Sequence, residues 1–186
     1  MAQINHIDQL FRTRQRVYVH SIVGKRLYQI GETLESIMTH GILSPATAEQ
    51  TIPGFSRGAL SVTRESGSET PTFLRSDVAW VTEYGKRTKT NFKHLLQSRY
   101  GDDSAPKILI DSKIKRKAKQ PSREERQTTP IEFNDFYLEE PIHPRHIIGV
   151  VLPYAAQHRK REWVKLLKKF NKPIYSHEGK ILYRAK

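Results

Sequence analysis

The order of β-prone and helical segments limits the fold most strongly. Apolar, β-branched runs recur along the chain, at VYVHSIV (17–23), GALSVTRE (58–65), FLRSDVAWVTEYG (around 77–84), PKILIDSKI (106–114), IEFNDFYLEE (131–140) and HIIGVVLP (146–153). Helical spacing is rarer, and these strands do not alternate with helices regularly. The pattern therefore predicts an α+β domain, with a mixed or antiparallel, split β-sheet core and flanking helices, rather than a doubly wound parallel sheet.

Three segments have the spacing of amphipathic helices. Leu34, Ile37 and Met38 share one face of a helix over about 32–40, and Gly41 ends it. A second helix is predicted from Phe92 to the glycine at 101, and a third over 155–170. KPIYSHEGKILYR then reads as a hairpin with Glu-Gly at its turn. At 186 residues we expect one domain, 1–186, with a C-terminal helix and hairpin over about 155–186.

The charge balance favours an anionic partner. The chain has 32 Lys and Arg against 19 Asp and Glu, for a net charge of +13. Nucleic acid, an anionic membrane face and a phosphate-bearing ligand all suit this charge. The run KIKRKAK predicts phosphate contacts from five cations: Lys113, Lys115, Arg116, Lys117 and Lys119. We expect the longer charged segment KIKRKAKQPSREERQ (113–127) to be an exposed loop, and the alternative to phosphate contact is that its cations are only solvated.

Several classes of site are excluded by missing residues. The chain has no Cys, which excludes disulfides, thiolate zinc sites and cysteine nucleophiles. P-loop, GxGxxG, HExxH and GxSxG motifs are absent. His143 and His146 are separated by Pro144, so no metal site is predicted. No membrane span and no classical signal peptide is visible, so we expect a cytoplasmic protein or an effector exported by another route.

The order of short motifs resembles compact ADP-ribosyltransferase-like domains, including DNA-targeting toxins and phage proteins. The resemblance covers about residues 15–153 and rests on the His-Ser strand, the helix ending in HGILSP, GALSVTR, KILIDSKI and PIHPRHIIGVV. It implies an ADP-ribosyltransferase fold and a glycosyltransferase that uses NAD and modifies a macromolecule, nucleic acid or protein. An acidic residue on a later strand would then stabilise the charge that develops on the ribose.

The resemblance also implies roles for individual residues. His20 and Ser21 are expected to contact the ribose of NAD, and Tyr84 to stack on nicotinamide. Arg57 would meet the phosphates, while Ser61 and Thr63 would lie along the cleft. A packing or surface role is the alternative for each of these residues.

The acidic residue is not unique in the sequence. The spacing from Ile142 indicates Asp135, where the resembled family usually has Glu. Glu132 is an equal candidate and Glu139 a third, because a bulge would bring either to the site. The alternatives to an enzyme are a non-catalytic, basic nucleic-acid-binding module and an inactive scaffold of the same fold that binds a protein partner.

Overall fold

The computed structural model describes residues 6–22, 27–43, 45–52, 79–97, 105–116, 118–128, 135–154 and 158–186. The strand predicted at 58–65 lies outside these ranges. In the described ranges the α-helices are α1 Asp8–Thr13, α2 Leu27–His40, α3 Pro45–Thr51, α4 Phe92–Gln97, α5 Arg123–Thr128 and α6 Lys160–Leu167. The strands are β1 Val17–Ser21, β2 Ala79–Tyr84, β3 Lys107–Asp111, β4 Ala118–Lys119, β5 Asp135–Leu138, β6 Ile147–Val151, β7 Ile174–Tyr175 and β8 Ile181–Tyr183.

The described strands form one eight-stranded sheet, in the order β4-β5-β2-β1-β3-β6-β7-β8. Neighbouring strands are antiparallel except for β6 and β7, which are parallel. The predicted α+β class and mixed sheet are therefore confirmed. The predicted split is not seen among the described strands, because β1 pairs with β2 on one edge and with β3 on the other.

The sheet separates two apolar clusters. On one side Tyr18, Ile108 and Ile110 pack with the buried residues of α2 and α6. On the other side Val17, Val19 and Leu109 pack with buried residues of α1 and α4. We call these the α2 face and the α1 face of the sheet. Their separation follows from the two-residue period of a strand, which directs successive side chains of β1 to opposite faces.

Two segments that are far apart in sequence meet beside the sheet. Ile42 and Ile142 form an isolated antiparallel bridge, with N–H to carbonyl distances of 3.0 and 2.8 Å. Gly41 precedes the bridge with a φ of +91°, and a Cβ there would lie 2.0 Å from the carbonyl oxygen of Ile142. A glycine is therefore required to end α2 at this position.

Some elements differ from the sequence-based prediction in extent. The helix predicted over 155–170 is α6 followed by the 3-10 turn Lys168–Phe170. The segment 113–127, expected as an exposed loop, contains most of the 3-10 turn Ser112–Arg116, strand β4, which pairs with β5, and most of helix α5. Pairing with β5 gives these polar residues a structure that their own pattern does not predict. Among the described helices none is long and apolar enough to cross a membrane.

An ion pair joins α1 to the sheet. Arg14, just beyond the end of α1, lies 3.4 Å from the carboxylate of Asp111 on β3. Burial alone would raise the pKa of Asp111, but the N–H of Lys113 and the guanidinium of Arg14 outweigh it and hold this pKa below its ordinary value of 3.8. The ionised carboxylate therefore stabilises the folded chain.

We predict that Gly41→Ala destabilises the fold by at least about 2 kcal/mol, since an L residue is strained at positive φ and the new methyl overlaps the Ile142 carbonyl. Chemical denaturation measures the loss. Gly31→Ala is the matched control, because a Cβ on Gly31 in α2 meets nothing closer than 3.5 Å. Equal stability of the two variants would contradict the structure of the bridge.

Acid should weaken the link between α1 and β3. The lowered pKa of Asp111 means that its contribution is present above its ordinary pKa and is lost as pH falls through the folded value. Between about pH 6 and pH 3, the Arg14→Gln variant should therefore lose less free energy of unfolding than the parent. Arg12→Gln, exposed on α1, removes the same charge without this ion pair and should follow the parent. Identical pH dependence in all three proteins would refute the role of Arg14.

Candidate functional site

Three adjacent strands carry candidates from the sequence analysis. His20 and Ser21 end β1, Tyr84 ends β2, and Asp135 begins β5. The order β5-β2-β1 places these strands side by side in the sheet. The tertiary structure thus gathers candidates that are more than 100 residues apart in sequence.

Asp135 belongs to a row of residues that crosses these strands. Val19 on β1 lies opposite Thr82 on β2, and Thr82 lies opposite Asp135 on β5. Residues directly opposite in antiparallel strands point to the same face. The hydroxyl of Thr82 donates a hydrogen bond of 2.7 Å to Oδ1 of Asp135, and the aspartate is only 1% exposed. Asp135 is therefore a shielded carboxylate, oriented by Thr82, on the α1 face.

His20 points to the opposite face of the sheet. Its cross-strand partner is Ile108, which packs in the apolar cluster of the α2 face. Successive residues of a strand alternate between faces, and the residue in the row of Asp135 is Val19. The roles expected for His20 and Asp135 require both side chains to meet one NAD molecule, and their positions on opposite faces show that this expectation is wrong. A one-residue difference in register is enough to decide this.

Ser21 and Lys107 share the face of the carboxylate. They lie opposite each other on β1 and β3. Each is two residues from a member of the pair Val19 and Leu109, so both point to the same face as that pair. Lys107 is only 1% exposed, and its Nζ donates a hydrogen bond of 3.1 Å to the carbonyl of Ala105. Lys107 and Asp135 are three strands apart, which is about 14 Å at the usual spacing between strands. The α1 face therefore carries a hydroxyl and a cation at one side and a carboxylate at the other.

Sequence reasoning missed Thr82 and Lys107. Thr82 is a polar residue within the apolar strand VAWVTEY, and Lys107 opens the apolar strand KILID. A polar residue inside such a strand was the available signal, but the pairing partners were needed to interpret it.

The α2 face has buried polar groups of its own. Tyr18 lies opposite Glu83, and both are at least 95% buried. Burial raises the pKa of the Tyr18 hydroxyl, and the nearby negative charge of Glu83 adds to this rise. The Oη of Tyr18 and Nη1 of Arg16 are buried without a hydrogen bond of normal geometry in the described part of the chain. His20 therefore shares its face with Glu83 rather than with Asp135.

Two other candidates have local partners. Tyr84 is 2% exposed and its ring contacts Phe11 edge-on, with centroids 6.4 Å apart, so it packs in the core of the α1 face. Glu139 is exposed and forms an ion pair with Lys119 beside the short strand β4. Tyr84 thus has the packing role named as its alternative, and Glu139 offsets a neighbouring cation.

The predicted phosphate-binding run is only partly described. Lys113 is exposed, and its backbone N–H donates a hydrogen bond to Asp111. The charge of Lys119 is paired with Glu139. Lys115 and Arg116 lie in the 3-10 turn. Five of the predicted site residues lie outside the described ranges: Arg57, Ser61, Thr63, Lys117 and Glu132.

Neither a metal site nor a relative assigns a role to these residues. Within the described ranges, no three His, Asp or Glu side chains are grouped closely enough to hold a metal ion. Comparison with known proteins gives no match to a family model, a curated protein or a solved structure. The geometry of the sheet is therefore the basis for assigning function.

We predict that Thr82→Val destabilises the protein by about 1–3 kcal/mol, since the buried carboxylate of Asp135 loses the hydrogen bond from Thr82 while the side-chain volume is kept. Thr39→Val is the control, because the Thr39 hydroxyl on α2 is exposed and bonds a helix carbonyl. It should change stability by less than about 0.5 kcal/mol. Urea denaturation of both variants measures the difference. Equal losses in the free energy of unfolding would show that the buried hydrogen bond contributes no more to stability than the exposed one.

Proposed function

We propose that the protein is a NAD-dependent ADP-ribosyltransferase that modifies a macromolecule. The observation that carries this proposal is the shielded carboxylate of Asp135, held by Thr82 on the α1 face. Asp135 is the residue that the spacing from Ile142 indicates in the resembled family. The bridge between Ile42 and Ile142 adds support, because it joins two of the segments on which the resemblance rests.

The reaction needs an anionic group near the ribose. The bond between ribose C1′ and nicotinamide breaks, and the electron pair leaves with nicotinamide. A nucleophile of the acceptor forms the new bond to C1′ and loses a proton. Positive charge grows on the ribose meanwhile, and the Asp135 carboxylate stabilises it. A carboxylate shielded from water does so more strongly than an exposed one, because the local dielectric constant is low.

The other polar groups of the α1 face fit the remainder of this substrate. The Ser21 hydroxyl provides a hydrogen-bonding group for a ribose, and the Lys107 ammonium a positive charge for the pyrophosphate. Ser21 lies two strand spacings from Asp135 and Lys107 lies three, so a dinucleotide would meet the three groups at different points along its length. In this proposal Ser21, rather than His20, is the polar contact from the first strand.

The proposal predicts that Asp135→Asn lowers the rate of nicotinamide release from NAD by about 100-fold or more, since it removes the charge that stabilises the transition state. Nicotinamide release is measured by chromatography, with and without candidate nucleic-acid and protein acceptors. Glu162→Gln is the matched control, because Glu162 is an exposed carboxylate paired with Arg159 on α6. Its rate should equal that of the parent.

The melting temperature tests whether these variants remain folded, and the rise in melting temperature on adding NAD tests binding separately. Ser21→Ala should weaken NAD binding more than His20→Ala does. The opposite order would place the reaction on the α2 face, near Glu83. A folded parent protein that neither binds nor cleaves NAD would refute the transferase function.

A further inference from the structure

The C-terminal region contains a cationic groove that is separate from the proposed transferase site. It lies between α6 and strand β8 and has a volume of about 490 Å³. Its lining residues are Lys160, Arg161, Val164, Lys165, Lys168 and Leu182. Four of these six are cations, none is acidic, and the remaining two are apolar.

The cations on α6 and at its two ends differ in whether they form an ion pair. Arg159 is paired with Glu162 at 2.8 Å, and Lys169, just beyond the helix, is paired with Glu35. Both pairs lie outside the groove. Arg161, Lys165 and Lys168 form no ion pair within the described part of the chain. Three cations without an ion pair in the described part of the chain thus lie close together along the groove.

The spacing of these three cations suits a chain of phosphates. Positions 161, 165 and 168 follow the i, i+4, i+7 spacing of one helix face and span about 10 Å along the axis. Each strand of a duplex carries a phosphate about every 3.4 Å of helix axis, and a single strand is more extended, so this length spans at most about three phosphate intervals. Such contacts neutralise charge without reading sequence.

The apolar residues of the groove favour a nucleic acid over a polyanion that has no bases. Val164 and Leu182 face the same groove as the cations. The bases of a single strand can be splayed out and lie against these aliphatic side chains, whereas a duplex keeps its bases stacked inside and presents mainly its phosphates. A second cavity of about 300 Å³ shares Lys160 and Leu182 and extends this surface along the hairpin. Its one cation on the hairpin, Lys180, is compensated by Glu178 at 2.7 Å.

We propose that the groove between α6 and β8 binds single-stranded nucleic acid through Arg161, Lys165 and Lys168. This surface differs from the predicted run 113–119, where the charge of Lys119 is already paired with Glu139. The inference does not depend on the transferase function, because binding requires no NAD. If both hold, the groove retains an acceptor strand on the enzyme.

The test compares two double variants of the full chain that remove equal charge. The groove variant, Arg161→Gln with Lys165→Gln, removes two positively charged side chains that line the groove. The paired-cation variant, Arg159→Gln with Lys169→Gln, removes one Arg and one Lys that already form ion pairs elsewhere. Fluorescence anisotropy measures binding of labelled single-stranded DNA and RNA 20-mers, without NAD, at about 50 to 200 mM salt. The groove variant should lose about 1.4 from the slope of log affinity against log salt and bind about tenfold more weakly at 100 mM salt. The paired-cation variant should retain the slope of the parent.

Four results would overturn the proposal. Equal losses in the two variants would mean that affinity follows net charge rather than the groove. Tighter binding of the duplex form, or equal binding of inorganic polyphosphate, would remove the role of Val164 and Leu182. Binding to vesicles with anionic lipid but to no nucleic acid would identify a membrane surface instead. The melting temperature of each variant, compared with that of the parent, tests whether these exposed substitutions leave the fold intact.

Discussion

The pairing of β1 on both of its edges is the constraint on which the other features depend. Hydrogen bonds to β2 and β3 make this strand central, and its side chains are covered on both faces. A central strand cannot shift by one residue without exchanging its two faces. The register of β1 therefore fixes which groups of the neighbouring strands meet, and the polar residues of the sheet are positioned by it.

That register produces two chemically different faces. On the α1 face, Asp135 accepts a hydrogen bond from the hydroxyl of Thr82, and Ser21 points to the same face. The α2 face holds His20 and Glu83. An imidazole and a carboxylate that are each buried near the same strands thus act in separate environments. Because the proposed chemistry needs groups that meet one substrate, the face rather than the distance along the chain decides which residues cooperate.

Charge is distributed as unevenly as polarity. The net charge of +13 describes the whole chain, but some of its described cations are compensated locally, as Arg14 is by Asp111 and Arg159 by Glu162. The uncompensated cations on α6 lie beside apolar side chains, on the side of the molecule built from the helix and the hairpin. A buried carboxylate and an open cationic groove place different demands on the fold, and they lie on different elements.

The sequence by itself determined the kind and position of the longer elements, but not the short elements α1, α3, α5 and β4. Strands around Val19, Leu109 and Val150 follow from β-branched content, and the helix before Gly41 follows from its apolar spacing, because these preferences act over a few residues. Tertiary structure alone decided that His20 and Asp135 point to opposite faces. Register and pairing depend on contacts between residues that are distant in sequence, and no local pattern records which strand will lie beside which.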